Sequence, residues 1–541
     1  MPVRAGGAHT AVVSKSFQNI SVVATATMVS RVLGLGRDML VTAVFGIEAL
    51  ASAFYTAFTL PNLFRRLLGE GALTAAFVPT LNEELKARHR AGAFTLVNQV
   101  ASWLFVVSGS IVVCAMSALW LVPRLAGVAA GWGITAGTVR RWVDAADLGV
   151  ILFPYLICVC LAAVFSAALQ SLHRFLEPAL SPIWLNVAMI TLLAGGAYGG
   201  WAATKEGAML WLCGGALLGG VLQMAVPAAA LVREGWQPRF DLSMSEPFQQ
   251  IVRLMVPTLF GSAIYLINIS VSRFVGLSLN ESAVAVLNLA TRLMELPIGV
   301  FTVAVSTVVF PLIAKHAAAG DWQQLATSYR KGMRLILVIN VPAAVGLVVL
   351  ATPIIRVLFE RGEFAAADTA EMRPVLIVFA LGLPFLSFVN IVLRAFYAEK
   401  DTATPVRAAV LSFAVNLGLS LALMVPLGTI GLAIASNVAV VVQAVHLQLQ
   451  LSRKRHSLGF HHVARDLAKV VAAAAVMGAV VAGGWWAWSH QAPGGKLADA
   501  LGLAVLIGLG VLLYGALVWW LRIEGRDDLA AVLVKVRARF A

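Results

Sequence analysis

The chain has 541 residues, 60% of them hydrophobic and 12% charged, with a formal net charge of +14. Soluble domains carry about a quarter charged residues. Half that share, with apolar runs of about 20 residues recurring to the end, excludes a soluble multidomain protein and indicates a polytopic helical membrane protein. The runs are continuous rather than alternating, which excludes a transmembrane barrel. The basic residues fall in short clusters between apolar runs, so the positive charge reads as cytoplasmic loops and not as a nucleic-acid surface.

Residues 1–16 are mildly polar, with Arg4 and Lys15, and lack a cleavable signal pattern; the long run that follows is expected to stay as the first membrane helix, N-terminus inside. Spanning segments are expected at 17–45, 48–80, 93–122, 146–170, 179–199, 207–232 and 249–276. The second half follows at 283–313, 328–350, 374–398, 405–426, 428–451, 466–490 and 498–522. Alternating these fourteen from an internal N-terminus, with basic residues towards a span's cytoplasmic end counted in the adjoining loop, puts 26 Lys and Arg on the cytoplasmic side, 8 outside and 6 inside spans, the asymmetry of the positive-inside rule. The longer external loops are expected at 123–145 and 351–373, the latter as a short interfacial helix. The tail from 524 carries an apolar stripe (Leu529, Val532, Leu533, Val536, Phe540) among Lys535, Arg537 and Arg539, the pattern of an amphipathic helix on the inner leaflet.

A parallel repeat runs through these segments. Pro154-Tyr155-Leu156 and Pro384-Phe385-Leu386 open the fourth and tenth spans. Each is followed by a polar turn and a Pro-led helix holding Asn186 or Asn416, and both pairs are offset by 230. Pro79 and Pro311 match more weakly near the inner ends of the second and eighth spans. The fold class is therefore all-α, about 14 transmembrane helices in two pseudo-symmetric lobes plus two C-terminal helices. The expected parts are an N-lobe over 1–240, a C-lobe over 241–455, two further spans over 456–523 and a cytoplasmic tail over 524–541. Two facing parallel lobes are a transporter architecture.

Six basic residues fall inside spans: Arg31, Arg37, Arg65, Arg66, Arg273 and Arg292, with Asp38, Glu70 and Glu295 as acidic companions. An arginine at the bilayer centre costs about 2.5–3.5 kcal/mol on insertion scales, so these side chains are expected to face protein or water. Arg66 and Glu70 are spaced i, i+4, and Arg292 and Glu295 i, i+3, so each pair can meet on one helix face. Arg31 and Arg37 are about 240° apart around an ideal helix. Gly34 and Gly36 between them are expected to loosen the turn and let both aim inward. The surplus of cations calls for an anion, and guanidinium forks suit phosphate. A cationic cavity between the lobes, for a phosphorylated substrate, follows as an expectation. The four cysteines lie in apolar runs and read as packing residues; no metal site is assigned.

The stretches SRVLGLGRD, AFYTAFTLPNLFRRLLGEGALTAAFVPTL, ATRLMELPIGVFTVAVSTVVFPLIAKH, LFERGEF and FYAEKDTATPV, in this order, resemble the MurJ/MviN family of lipid II flippases. The resemblance implies the multidrug/oligosaccharidyl-lipid/polysaccharide exporter fold, the transport of lipid II (undecaprenyl pyrophosphate bearing the disaccharide-peptide wall unit) and no enzymatic activity. It implies that Arg31, Arg37, Arg65 and Arg292 hold the pyrophosphate, with Asp38, Arg66, Glu70, Arg273 and Glu295 as supporting charges. It also implies that spans 466–490 and 498–522 form a groove for the lipid tail. Three places depart from the family pattern: Ser52 stands for an acidic residue, Thr291 for an Asp, and Ser272 and Ser420 occupy sodium-site positions where only Asn416 remains as a remnant. No cofactor is implied; the membrane potential or a monovalent cation is left open as the energy source. Lipid II, membrane lipids and cell-wall synthesis proteins are the expected partners, and the bacterial inner membrane, with both termini cytoplasmic, is the expected location. The rival readings are an exporter of another polyprenyl-pyrophosphate glycan, and a membrane enzyme acting on lipid carriers, for which no metal-binding or nucleophile cluster appears in the sequence.

Overall fold

A computed structural model describes residues 6–65, 72–131, 134–299, 303–458, 461–491 and 495–523. These residues are helical in seventeen α-helices and one 3-10 turn, with no strand among them. A chain this apolar has no water to satisfy its backbone in the bilayer, and helices close their hydrogen bonds internally. The fourteen expected segments each coincide with one helix, part of one, or two successive helices. Among the described residues eight helices are long and apolar enough to cross a membrane, nine if one bent pair counts as a crossing.

The chain forms two compact units, one up to Val284 and one from Ala285. The first contains α1 (Gly6–Phe45), α2 (Ala49–Arg65), α3 (Ala72–Ala87), α4 (His89–Gly131), α5 (Ala136–Leu152), α6 (Tyr155–Ser171), α7 (Leu176–Tyr198), α8 (Lys205–Arg233) and α9 (Glu246–Leu279). Thr135, Thr204 and Ser245 cap α5, α8 and α9, their side chains accepting the amides of Thr138, Gly207 and Phe248. The α5–α6 pair bends by 45° at the break before Tyr155, where Pro154 caps α6. Its core joins α3, α4 and α6, with Phe77, Leu81, Val97, Leu156 and Leu169 almost wholly buried. Packing on α2, α3 and α5 places α9 with this unit, whereas the repeat in the sequence starts its second half at 241. The expected external loop 123–145 is mostly helical: α4 runs on to Gly131 and α5 starts at Ala136. The apolar sequence Leu121–Val128 carries α4 past Pro123.

The second unit holds most of α10 (Ala283–Pro297), then α11 (Val303–Ala318), α12 (Trp322–Val349), α13 (Ala351–Phe359), α14 (Ala366–Ala398), α15 (Ala403–Lys454), α16 (His461–Gln491) and α17 (Lys496–Trp520). Its core runs through α12, α14, the end of α15, α16 and α17, around Ile336, Ile391, Phe396, Leu447 and Ala474. The short helix expected within 351–373 is α13.

α15, at 52 residues, is two helices. Gly428 sits at φ 57° and ψ −137°, outside helical space, in a left-handed region open to glycine without strain. The legs fold back on each other. Ser412 donates its hydroxyl to the Ala439 carbonyl at 3.2 Å, and Ser436 donates to Asn416 Oδ1 at 3.4 Å. At the far end Lys454 pairs with Asp401, and Arg455 with Glu399 at 3.4 Å. This hairpin corresponds to the two spans expected at 405–426 and 428–451. The tail expected as an amphipathic helix, and the Arg66–Glu70 pair, lie outside the described residues.

Candidate functional site

The intramembrane charges differ in how they are held. Arg37 and Asp38, adjacent in α1, are both buried, with side chains 9% and 0% exposed. Arg37 Nε and Nη2 donate to Asp38 Oδ1 at 3.1 and 2.8 Å. Its Nη1 reaches across to α7, donating to Asn186 Oδ1 at 3.2 Å and lying 3.9 Å from Met189 Sδ. The amide nitrogen of Asn186 donates to the Ser30 carbonyl at 3.3 Å and to Pro182 of its own helix at 3.1 Å. One asparagine thus spans α1 from Ser30 to Arg37. The charge of Arg37 is matched by its neighbour inside the first unit, the arrangement that makes a buried cation tolerable.

Arg31 is held differently. It is half-buried on α1, and no ion pair or hydrogen bond engages its side chain among the described residues. α1 continues through Gly34 and Gly36 without a break, so the glycines do not loosen the turn as expected. The Asn186 amide lies beside Gly34, 3.8 Å from where a Cβ would stand, an ordinary contact distance. Arg31 and Arg37 keep their separate directions.

Arg65 is half-buried at the last described residue of α2. Arg273, in α9, donates from Nη1 to the Val284 carbonyl at 3.2 Å, tying α9 to the start of α10. Arg292 and Glu295 meet at 3.4 Å as their i, i+3 spacing predicts, and stay accessible, with side chains 39% and 46% exposed. Asn416, buried in the second unit, accepts the hydroxyls of Ser420 at 3.5 Å and Ser436 at 3.4 Å. No cluster of three His, Cys, Asp or Glu groups suits a metal among the described residues.

Two participants escaped the sequence reading. Asn186 was flagged by its 230-residue offset from Asn416, but nothing in the sequence paired it with Arg37. Arg394 was counted with the cytoplasmic charges, yet lies in the last turns of α14 with its guanidinium 5.3 Å from the Phe310 ring centre, a cation–π contact.

The turns feeding the two repeat hairpins are alike. After α6, His173 takes φ 61°, with Arg174 N–H bonded to Leu169 O at 2.8 Å. After α14, Lys400 takes φ 59°, with Asp401 N–H bonded to Phe396 O at 3.0 Å. Both are Schellman closures. Asp401 then caps α15, accepting the amide of Thr404 at 3.0 Å and its hydroxyl at 2.8 Å. Burial pushes its carboxyl up, but Lys454 and Thr404 outweigh that and hold it at about 2.

The family described as "Lipid II flippase MurJ" matches residues 41–496. A protein of Rhizobium tropici named "Probable lipid II flippase MurJ" is 34% identical over 498 residues, covering 90% of this chain and 91% of that protein. The "Lipid II flippase MurJ" of Burkholderia cenocepacia is 30% identical over 448 residues, covering 81% of this chain and 84% of its own length. Among solved structures, "Lipid II flippase MurJ, inward closed conformation" superposes with a TM-score of 0.73 at 25% identity, covering 94% of this chain and 99% of that one. An inward-facing multidrug resistance MATE family transporter of the MOP superfamily shares the fold, with a TM-score of 0.63 at 17% identity over 79% of this chain and 95% of that one. The MurJ relatives are named as flippases, which are transporters and not enzymes. With apolar helices throughout and a family match over most of its length, the chain is a multi-pass membrane protein and belongs to the MurJ family.

Proposed function

We propose that this protein carries lipid II across the cytoplasmic membrane, from the inner to the outer face. Family membership and the names of the relatives support the substrate. The observation that carries the mechanism is the contrast within α1: Arg37 is neutralised by Asp38, while Arg31 has no partner among the described residues. An uncompensated guanidinium in a membrane helix is costly until an anion meets it, and a pyrophosphate supplies the geometry a guanidinium fork prefers. In this reading Arg31, Arg65 and Arg292 contact the pyrophosphate, and Arg37, with Asp38 and Asn186, fixes the path of α1 beside it. The polyprenyl tail stays in lipid. The protein sits in the inner membrane with both termini cytoplasmic, alternates access between the two faces, and is reset by the membrane potential. Each charge returned gains about 2.3 kcal/mol per 100 mV.

The test is complementation. In cells depleted of their own flippase, the wild-type chain is expected to restore growth and Arg31→Ala or Arg292→Ala to abolish rescue at equal membrane abundance. Equal rescue by the arginine variants would overturn the cationic site. Dissipating the potential is expected to stall turnover; undiminished flipping would reject the resetting step.

A further inference from the structure

The segment joining α8 to α9, EGWQPRFDLSMS (234–245), forms no regular element. Its backbone groups are met by one face of α4. Asn98 donates from Nδ2 to the Gln237 carbonyl at 3.0 Å and accepts on Oδ1 from Trp236 Nε1 at 2.9 Å and the Arg239 amide at 3.2 Å. Ser102 accepts the Asp241 amide at 2.9 Å, and Trp103 Nε1 donates to the Leu242 carbonyl at 3.1 Å. Gln99 donates to the Ser243 hydroxyl at 2.8 Å and accepts that of Ser245 at 2.6 Å. Asn98, Gln99 and Ser102 are buried, an odd polar patch on a helix otherwise apolar enough to cross the membrane. The segment they hold explains them: irregular backbone is tolerated at a membrane boundary when protein side chains satisfy it.

The outer side of this strap has the opposite character. Phe240, Leu242 and Met244 are 68%, 40% and 56% exposed, at alternate positions as in an extended chain showing one face outward. α4, the helix that holds the strap, exposes Phe105, Val106 and Val107 as well. Arg233 and Arg239 are exposed at and beside the strap. Asn98 lies eight residues beyond Arg90, which is about 12 Å along the helix, and so deeper than the basic stretch KARHR at 86–90. Apolar teeth with cations beside them, at the foot of a membrane helix, match the boundary between headgroups and acyl chains.

We propose that residues 236–244 are an interfacial strap bound to phospholipid of the cytoplasmic leaflet. Phe240, Leu242 and Met244 enter the acyl layer, and Arg233 and Arg239 sit at the phosphates of anionic lipid, whose negative surface potential attracts basic segments. The leaflet assignment rests on the topology under Proposed function; the insertion itself does not.

The test places a single label on the full-length protein. Phe240→Cys in a background of Cys114→Ala and Cys158→Ala, which removes the native thiols that are not buried, is modified with the environment-sensitive dye NBD. It is then reconstituted in vesicles of phosphatidylethanolamine and phosphatidylglycerol. Lipid carrying a doxyl group near the head of its acyl chain is expected to quench the dye several-fold more than aqueous iodide does. Quenching by iodide with no effect of doxyl lipid would overturn the proposal, and is the result expected of a strap that faces water and awaits a soluble protein; quenching by neither is the result expected of a strap covered by a second copy, and would overturn it too. In vesicles of known orientation, dithionite should bleach the dye only from the cytoplasmic side. A doxyl-quenched dye bleached from the outside would keep the strap and overturn the topology. A second variant, Phe240→Ser with Met244→Ser, is expected to melt like the parent in detergent and to lose the stabilisation gained on adding phosphatidylglycerol; an equal gain in both proteins would overturn the lipid contact.

Discussion

The hairpin of α7 and α8 and the hairpin of α15 are two copies of one repeat, and they close by different chemistry. In the first, glycine brings the helices together. A Cβ on Gly219 would stand 2.7 Å from Leu185 Cα, and one on Gly215 2.8 Å from Met189 Cα, so backbone meets backbone and the contact is dispersion at close range, as at small-residue crossings in membranes. In the second, glycine contact is confined to the turn, where a Cβ on Gly431 would overlap the Leu423 carbonyl oxygen, and along the legs hydroxyls make the bridge, Ser412 to Ala439 and Ser436 to Asn416. The matched asparagines follow from this. Asn416 is occupied inside its own hairpin. Asn186 is spared that duty because glycine closes its hairpin, and it serves α1, fixing Ser30 and Arg37. The latches at the hairpin feet are also reversed in sign. In the first unit the turn offers the cation, Arg174, to Glu234 at 2.7 Å. In the second it offers the anions, Asp401 and Glu399, to Lys454 and Arg455. The repeat keeps its geometry and reassigns its side chains.

The strongest way to break this comparison is Gly219→Leu. The new side chain meets backbone that has nowhere to move, and overpacking costs about 3 kcal/mol or more at such a crossing. Loss of folded protein by size-exclusion fluorescence is the expected outcome, and near-normal melting would show that the glycine contact does not close the hairpin. The asparagines sharpen the contrast. Asn186→Ala removes an acceptor from a buried guanidinium, worth about 1.5–3 kcal/mol. Asn416→Ala removes neutral hydrogen bonds between membrane helices, which average about 0.6 kcal/mol. Thermal unfolding in detergent should rank Asn186→Ala below Asn416→Ala, and the reverse order would contradict the division of labour. The smallest effect belongs to the second latch. The Asp401 carboxyl is held at about 2 against an ordinary 3.8, so its stabilising contribution is complete above about pH 4 and is lost as pH falls towards 2. The Lys454 end of the pair is 42% exposed, and screening there limits the contribution to about 1 kcal/mol. Asp401→Asn should flatten this part of the stability profile; an unchanged acid limb would mean that other carboxylates set it.

Much of this was legible in the residues. Apolar runs located the helices because the bilayer imposes length and composition together. The break near 427 was readable from Pro426 and Gly428, and the Arg292–Glu295 pair from its spacing. What could not be read was the partner of each charge. Arg31 and Arg37 have the same chemistry in the same helix; they are separated by Asp38, which folds onto Arg37, and by Asn186, which arrives from a segment 149 residues away. The extent of α4 was missed for a local reason: Pro123 and Arg124 look like a span's end, but the guanidinium of Arg124 lies 3.2 Å over the Trp120 ring and the helix continues beneath it. The polar face of α4 was missed because its ligand is a stretch of backbone, which leaves no motif.

Gly428 has a consequence for the bookkeeping of sides. Taken as one uninterrupted rod, α15 would count as a single crossing, and everything after it would exchange faces. Its reversal adds a crossing and returns Lys454 to the level of Asp401 where the hairpin began. One residue's backbone angle therefore decides on which surface of the membrane the following helices start, and any substitution that forced that residue straight would invert the last part of the protein rather than merely bend it.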